Sequence, residues 1–354
     1  MKINKRIASL IAVAGCAATI LAACGSSNNA TTSATTTKAA SSSESGVKAS
    51  ATFPITIKHA FGETVIKEQP KNVVTIAWEN EDAPLALGVA PVGVSAANYG
   101  LVTEHKLHPW ADDAFKKLGV TNPVVFNDTD GLDFEAIANA KPDVILASYS
   151  GITQEEYDKL SQIAPVVAYP GKAWQTFWRD QTIINGTALG LETEAKALVS
   201  DTEKLINEKV ASHPELKDKK AAFMMIMPND LSSFYVYLPT DPRAAYLTDL
   251  GLQFPDSVKK LAEGQDSFAL TVSRENADKL NDVDLIVTYG DSSLLPTLQA
   301  DPMLSQIPAI KNGAVAFIDS TTAIAGGATP SILSIPYNID AYLTLLGDAA
   351  GKIK

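Results

Sequence analysis

The chain has 354 residues, 46% of them apolar, enough to bury one large core or two ordinary ones. Acidic residues outnumber basic ones 40 to 29, and the formal net charge of −11 gives a surface that repels nucleic acid. Two cysteines and four histidines leave little material for a thiolate or histidine metal cluster.

At the N-terminus Lys2, Lys5 and Arg6 precede an apolar run from Ile7 that closes on Leu21-Ala22-Ala23-Cys24. Basic, apolar and small residues in that order form a secretory signal, although the run is also long enough for an uncleaved anchor. Leu-Ala-Ala-Cys resembles the lipobox of bacterial lipoproteins. That resemblance implies removal of residues 1–23, a lipid on Cys24 and a protein held on the extracytoplasmic face of the cell membrane. Loss of three basic residues leaves 26 against 40 acidic ones, a net −14, with no polybasic membrane patch. Cys16 leaves with the signal, so the mature domain is expected to have no disulfide. Residues 24–51 read as a tether: Gly25 to Ser50 is dominated by Ser, Thr and Ala, without an aromatic residue. A coil of about 27 residues reaches on the order of 30 Å.

The folded part starts near Thr52. "ITIKHAFGETVIKEQP" predicts a hairpin turning at Phe61-Gly62. In "KNVVTIAWENEDAPLALGVAPVGV" a buried strand over Val73–Ala77, a short helix stopped at Gly88 and a second strand over Pro91–Val94 make a βαβ unit with parallel pairing. Beyond it the chain repeats itself weakly. "DFEAIANAKPDVILASY" has a helix opening at Glu135 and a strand after Asp143, and "SRENADKLNDVDLIVTYG" has a helix opening at Glu275 and a strand after Asp284. "KLSQIAPVVAY" at 159–169 is echoed by "MLSQIPAI" at 303–310, and Leu87-Gly88 by Leu250-Gly251. The shared order predicts an α/β fold of two similar lobes, with largely parallel sheets, over residues 52–190 and 214–354. Between them, positions 195, 198, 199, 202, 205, 206 and 210, apolar except for Thr202, form a helical stripe ended by Pro214, so a single long helix over 191–213 is expected to join the lobes. Such a hinge limits opening and closing, and the ligand cleft falls between the lobes.

In open α/β lobes ligands bind off the carboxyl ends of parallel strands. Trp78, Tyr99, Tyr149 and Tyr169 follow or end strands in the first half; Tyr235, Tyr237 and Arg243, then Tyr289, then Asp319 and Ser320, do so in the second. Only 25 of 354 residues are aromatic, so their recurrence at strand exits points to a ring-lined cleft, although a single tyrosine there is more often packing. "YPGKAWQTFWRDQ" puts Trp174 and Trp178 four apart, on one face if helical, beside Arg179. Core and cleft remain open for these rings, and which tryptophan faces inward is not fixed. An arginine is rarely buried unpaired, and of the three outside the signal Arg179 and Arg243 follow strands, which makes them the candidate anion partners.

No Gly-x-Ser-x-Gly elbow, phosphate loop or dinucleotide fingerprint is present; "AWENED" after the first strand is too bulky to approach a pyrophosphate. Glu104, His105 and His108 in "EHKLHPW" offer a metal set on paper, but a surface loop is the better reading, and no metal site is expected.

The lipobox, "PKNVVTIAWENEDAPLALGVAPVGV", "DFEAIANAKPDVILAS" and "VSRENADKL" resemble the ferric-siderophore-binding lipoproteins of ABC importers, within a helical-backbone class that also holds haem and cobalamin binders. The resemblance covers nearly all of residues 52–354. It implies a monomeric, non-catalytic binding protein with two lobes on a long helix. Iron stays inside the siderophore, so no cofactor is bound directly. One glutamate on each lobe, Glu135 and Glu275, docks on the permease dimer. The ligand-binding set is then Trp78, Tyr99, Tyr149, Trp174, Trp178, Arg179, Tyr237, Arg243 and Tyr289. Asn72 stands where an arginine is common in the family, and few arginines disfavour citrate-type ligands relative to hydroxamate or mixed-type siderophores. The 25 lysines leave catecholates open. A haem or cobalamin receptor is the alternative within the class, and an extracytoplasmic enzyme the alternative outside it.

Overall fold

The computed structural model describes residues 47–128 and 130–354. The signal, Cys24 and most of the tether lie outside the described residues, and the described residues form one compact unit. Strands β1 (Ile55–His59) and β2 (Gly62–Ile66) make the expected antiparallel hairpin. The N-terminal lobe is a five-stranded, wholly parallel sheet in the order β5-β4-β3-β6-β7: β3 is Val73–Thr75, β4 Gly93–Ser95, β5 Val125–Phe126, β6 Val144–Ala147 and β7 Val166–Ala168. Strands β3, β4, β6 and β7 are buried at every position, as expected where helices cover both faces of a parallel sheet. Four helices accompany them: α1 (Asp82–Ala86), α2 (Pro109–Lys117), α3 (Phe134–Asn139) and α4 (Gln154–Leu160).

The lobes are linked by α5 (Trp178–Ala188) and α6 (Glu192–Val210), which pack on each other. Ala195, Val199, Thr202 and Ile206 are the buried stripe of α6, at the spacing the sequence predicts. The C-terminal lobe has the order β10-β9-β8-β11-β12, with β8 Ala221–Ile226, β9 Ser233–Tyr237, β10 Ala269–Ser273, β11 Leu285–Tyr289 and β12 Val315–Ile318. Here β8, β11 and β12 are parallel, but β9 runs antiparallel to both β8 and β10. Met227 to Ser232 is too short a connection for a crossover, so β8 and β9 must form a hairpin. The C-terminal helix Ser334–Ala350 packs on α6 and on β12.

The repeat has a structural counterpart. Asp143 Oδ2 accepts the backbone N–H groups of Lys71 and Asn72 at 2.8 and 2.9 Å, just before β3, and Asp284 Oδ2 accepts Lys220 N at 2.9 Å, just before β8. Each aspartate therefore pins the entry of its lobe's central strand. The second helix of the repeat is a 3₁₀ segment, Arg274–Leu280, rather than an α-helix.

Candidate functional site

A cavity of about 160 Å³ opens between the lobes and is walled by Trp78, Tyr99, Tyr237, Arg243 and Tyr289. Trp78 follows β3, Tyr99 follows β4 and Tyr289 ends β11, so these three arrive by the strand-exit rule. Tyr237 comes by another route: it sits on antiparallel β9, where it pairs with Ala269, while Tyr235, two residues earlier on the same face, is 44% exposed and does not line the cavity. Tyr99 and Tyr289, one from each lobe, meet edge to face at 5.1 Å. The lobes touch again where Leu101 N donates to Thr322 O at 3.0 Å and where Gln175 Nε2 and the Lys172 ammonium reach Asp266.

Arg243 is 9% exposed. Its Nε and Nη2 donate to the two oxygens of fully buried Asp241, at 2.9 and 2.6 Å, and its guanidinium lies 4.1 Å from the centre of the Tyr237 ring. Asp241 also caps helix α7 (Pro242–Asp249) by accepting Arg243 N and Ala244 N. This partner raises the Arg243 pKa against the opposing effect of burial. One wall thus carries a fixed cation whose charge is already matched.

Trp78 divides this cavity from an adjoining recess of about 310 Å³ lined by Trp174. The two indoles lie 5.8 Å apart, and Tyr149 meets Trp174 edge to face at 5.4 Å. Tyr149 is 2% exposed and supports the wall from behind without lining the cavity. Trp174 takes a left-handed φ of 61° and its indole presses on Gly151, where a Cβ would overlap the ring.

Trp178 and Arg179 depart from expectation. Helix α5 begins only at Trp178, so Trp174 lies in a loop and the two indoles share no helical face. Trp178 is 2% exposed, packs in the core of the C-terminal lobe and donates Nε1–H to Asp249 at 3.0 Å. Arg179 pairs with both Asp249 oxygens, at 2.9 and 3.1 Å, and with Glu203 at 2.6 Å. Both line a shallow recess shared by α5 and α7, away from the ring-lined cavity. Tyr169 is core, donating to Ile152 O, and Asp319 caps the turn at Thr321.

Sequence reasoning passed over the "ENED" run that leaves β3. Glu79, Asn80, Glu81 and Asp82 are each at most 4% exposed. Asn80 ties the exits of β3 and β6 together: its amide donates to Ile76 O and Tyr149 O, and its Oδ1 accepts Ser148 Oγ–H. Asp82 Oδ2 accepts Trp110 Nε1–H at 2.9 Å and the hydroxyl of Ser331 from the other lobe. Burial pushes the Asp82 carboxyl up to about 7. Glu79 and Glu81 line the cavity, and burial, followed by the nearby charge of Asp82, raises both well above the usual carboxylate range. A legible signal existed, since four polar residues directly after a buried strand must be either satisfied or functional. His108 also faces the cavity; burial lowers it to about 4, so it is neutral, and it stacks on Trp110 at 4.5 Å. His105 instead pairs with Asp112 at 2.8 Å, so the histidines of "EHKLHPW" do not converge. Among the described residues no group of three metal-ligating side chains is placed to hold an ion. Glu135, in the first turn of α3, and Glu275, in the 3₁₀ segment, are both exposed.

A family profile described as periplasmic binding protein matches residues 73–322. The chain is 51% identical to PiaA of Streptococcus pneumoniae TIGR4, solved in complex with ferrichrome, over 85% of this chain and all of that one, with a TM-score of 0.82. It is 29% identical to the probable siderophore-binding lipoprotein YfiY of Bacillus subtilis, over 70% of this chain and 71% of that protein. It is 24% identical to the ferric enterobactin-binding periplasmic protein FepB of Escherichia coli, over 78% and 88%. With the two-lobed fold and its cleft in place, the chain belongs to the periplasmic binding protein family.

Proposed function

We propose that this protein captures a ferric siderophore of the hydroxamate type in the inter-lobe cleft, without catalysis, and passes it to the permease dimer of an ABC importer. The observation that carries the reading is the charge balance of the cavity. Its walls are aromatic, and the cation it offers, Arg243, is already matched by Asp241, while Glu79 and Glu81 stand beside it. A tris-catecholate or citrate complex keeps several negative charges after binding iron and needs unmatched cations. Three hydroxamates neutralise ferric iron, and a neutral complex asks only for rings and hydrogen bonds. The names of the relatives support the same class, and the ferrichrome complex of PiaA supports the hydroxamate. Iron arrives fully coordinated, so no protein ligand to it is needed. The ligand-facing set becomes Trp78, Tyr99, Trp174, Tyr237, Arg243 and Tyr289.

Titration of tryptophan fluorescence with ferrichrome, a ferric tris-catecholate, ferric citrate, haem and cobalamin tests this. Saturable quenching by ferrichrome is expected; a response confined to any of the others overturns the hydroxamate assignment. Delivery rests on Glu135 and Glu275 as one acid per lobe facing a two-fold partner, with a lipid on Cys24 holding the protein at the membrane. Glu135→Arg with Glu275→Arg should abolish iron uptake while ferrichrome affinity is retained, and intact uptake would remove the docking role.

A further inference from the structure

Trp78 is followed by a carboxylate, not by another ring. Glu79 is 4% exposed and lines the cavity, and its Oε2 is sealed from solvent with no donor within reach among the described residues. It is held there by a left-handed φ of 59°, a conformation that costs a glutamate energy and that the surrounding packing must impose. Glu81 Oε2 and Asp82 Oδ1 are likewise buried without a partner. Three adjacent carboxyls, none with a cation of its own, cannot all ionise in one buried wall.

We infer that Glu79 is kept as the neutral acid and donates its proton, from the carboxyl oxygen that is not sealed, in a hydrogen bond to an oxygen of the bound ferric complex, so that capture at alkaline pH is linked to proton uptake at this one carboxyl. The inference rests on the hydroxamate reading, and the chemistry fits it. Hydroxamate oxygens bound to iron carry partial negative charge and only accept hydrogen bonds, so a carboxylate facing them repels and a carboxylic acid attracts. Other charged or titratable groups facing Glu79 do not remove the linkage. Glu81 and Asp82 favour its neutral form, and Arg243, which favours the ionised one, is held by Asp241. Burial raises Tyr149, and Tyr99, Tyr237 and Tyr289 across the cavity also lie above 10, outside the working range. His108 is neutral down to about 4.

The test is ferrichrome titration of the full-length protein between pH 6 and 9, with calorimetry at pH 8 in two buffers of different ionisation enthalpy to count protons. The wild type should lose affinity as pH rises, approaching about tenfold per pH unit once the free carboxyl ionises, and should take up as much as one proton on binding. Glu79→Gln keeps a donor but cannot ionise, so its affinity should be independent of pH and its proton uptake nil. Glu79→Ala, which has no donor, should bind more weakly than Glu79→Gln at every pH. A flat wild-type profile, or the same slope and proton uptake in Glu79→Gln, overturns the inference while leaving ferrichrome binding standing. Absence of ferrichrome binding by wild type at every pH takes down the hydroxamate reading and this inference together.

Discussion

Two arginines in this protein are built almost alike. Arg179 lies 4.3 Å from the centre of the Trp178 indole and grips both oxygens of Asp249; Arg243 lies 4.1 Å from the centre of the Tyr237 ring and grips both oxygens of Asp241. Residue type and pairing do not tell them apart, and what differs is the neighbourhood. Arg179 has a second acid in Glu203, its side chain is 35% exposed, and it ties α5 to α6 and α7. Arg243 stands in a closed wall with one buried partner and with rings from both lobes before it. An arginine on an aromatic face marks a ligand site only where the face behind it is a cavity; elsewhere the same unit is a brace between helices.

The sharpest way to break that comparison is Arg243→Ala. It strands buried Asp241 as an unpaired charge, although the backbone cap bonds from residues 243 and 244 remain, at a cost of about 3–5 kcal/mol, and removes the wall's donor fork. Ferrichrome affinity should fall about 100-fold or more, alongside a lower unfolding midpoint, and Arg243→Lys should recover only part of it because an ammonium cannot bond both oxygens in one plane. Affinity unchanged in Arg243→Ala would move the ligand away from this wall. The rings come next. Trp78→Ala and Trp174→Ala each remove a large aromatic surface on either side of the divide, and each should weaken binding by about tenfold. A loss at Trp78 with none at Trp174 would confine the ligand to the lobe-to-lobe cavity and leave the adjoining recess empty.

The sequence resolved the periodic features and missed the aperiodic ones. Buried runs such as Val144–Ala147 and the stripe of α6 are periodic patterns, and so were the two lobes and the helix between them. Strand exits placed Trp78, Tyr99 and Tyr289, since topology alone aims them at the cleft. Trp178 and Arg179 fall outside the cleft because Trp174, held at a left-handed φ, precedes the first turn of α5, so the spacing of four between the indoles gives no shared face. Tyr237 reached the cleft on an antiparallel strand whose direction was set by a short connection. The polar run at 79–82 was legible as a signal but its burial was not, because polar residues in a loop default to solvent and only tertiary packing seals these four.

The comparison also separates two electrostatic regimes. Around Arg179 two carboxylates share a cation, whereas beside the cleft Glu79, Glu81 and Asp82 have no cation of their own among the described residues. Stability should therefore respond to pH from the cleft side. The Asp82 carboxyl titrates near 7 in the folded protein, above the ordinary value for an unfolded chain, so folding takes up a proton. The stabilisation is complete below the ordinary carboxylate range and is lost as pH rises through about 7, by on the order of 1 kcal/mol per pH unit within that window. Chemical denaturation at pH 5, 6, 7 and 8 should show a declining stability whose slope is shallower in Asp82→Asn. A rise over that range would assign the lobe-to-lobe contact with Ser331 to an ionised carboxylate instead.

Arg179→Ala is the smallest expected effect and the one that decides whether position or composition governs these two units. Its removal leaves Asp249 still bonded to the Trp178 indole, and Glu203 free to hydrate at 42% side-chain exposure. For so exposed an ion pair, screening by solvent limits the loss to about 1 kcal/mol, a fall in unfolding midpoint of about 2 °C. Ferrichrome affinity should stay within about twofold of wild type, since no atom of Arg179 borders the cavity. A tenfold loss would mean that α5 and α7 transmit the hinge brace to the cleft, making Arg179 a positioning residue for lobe closure, and the distinction drawn between the two arginines would then be one of distance rather than of role.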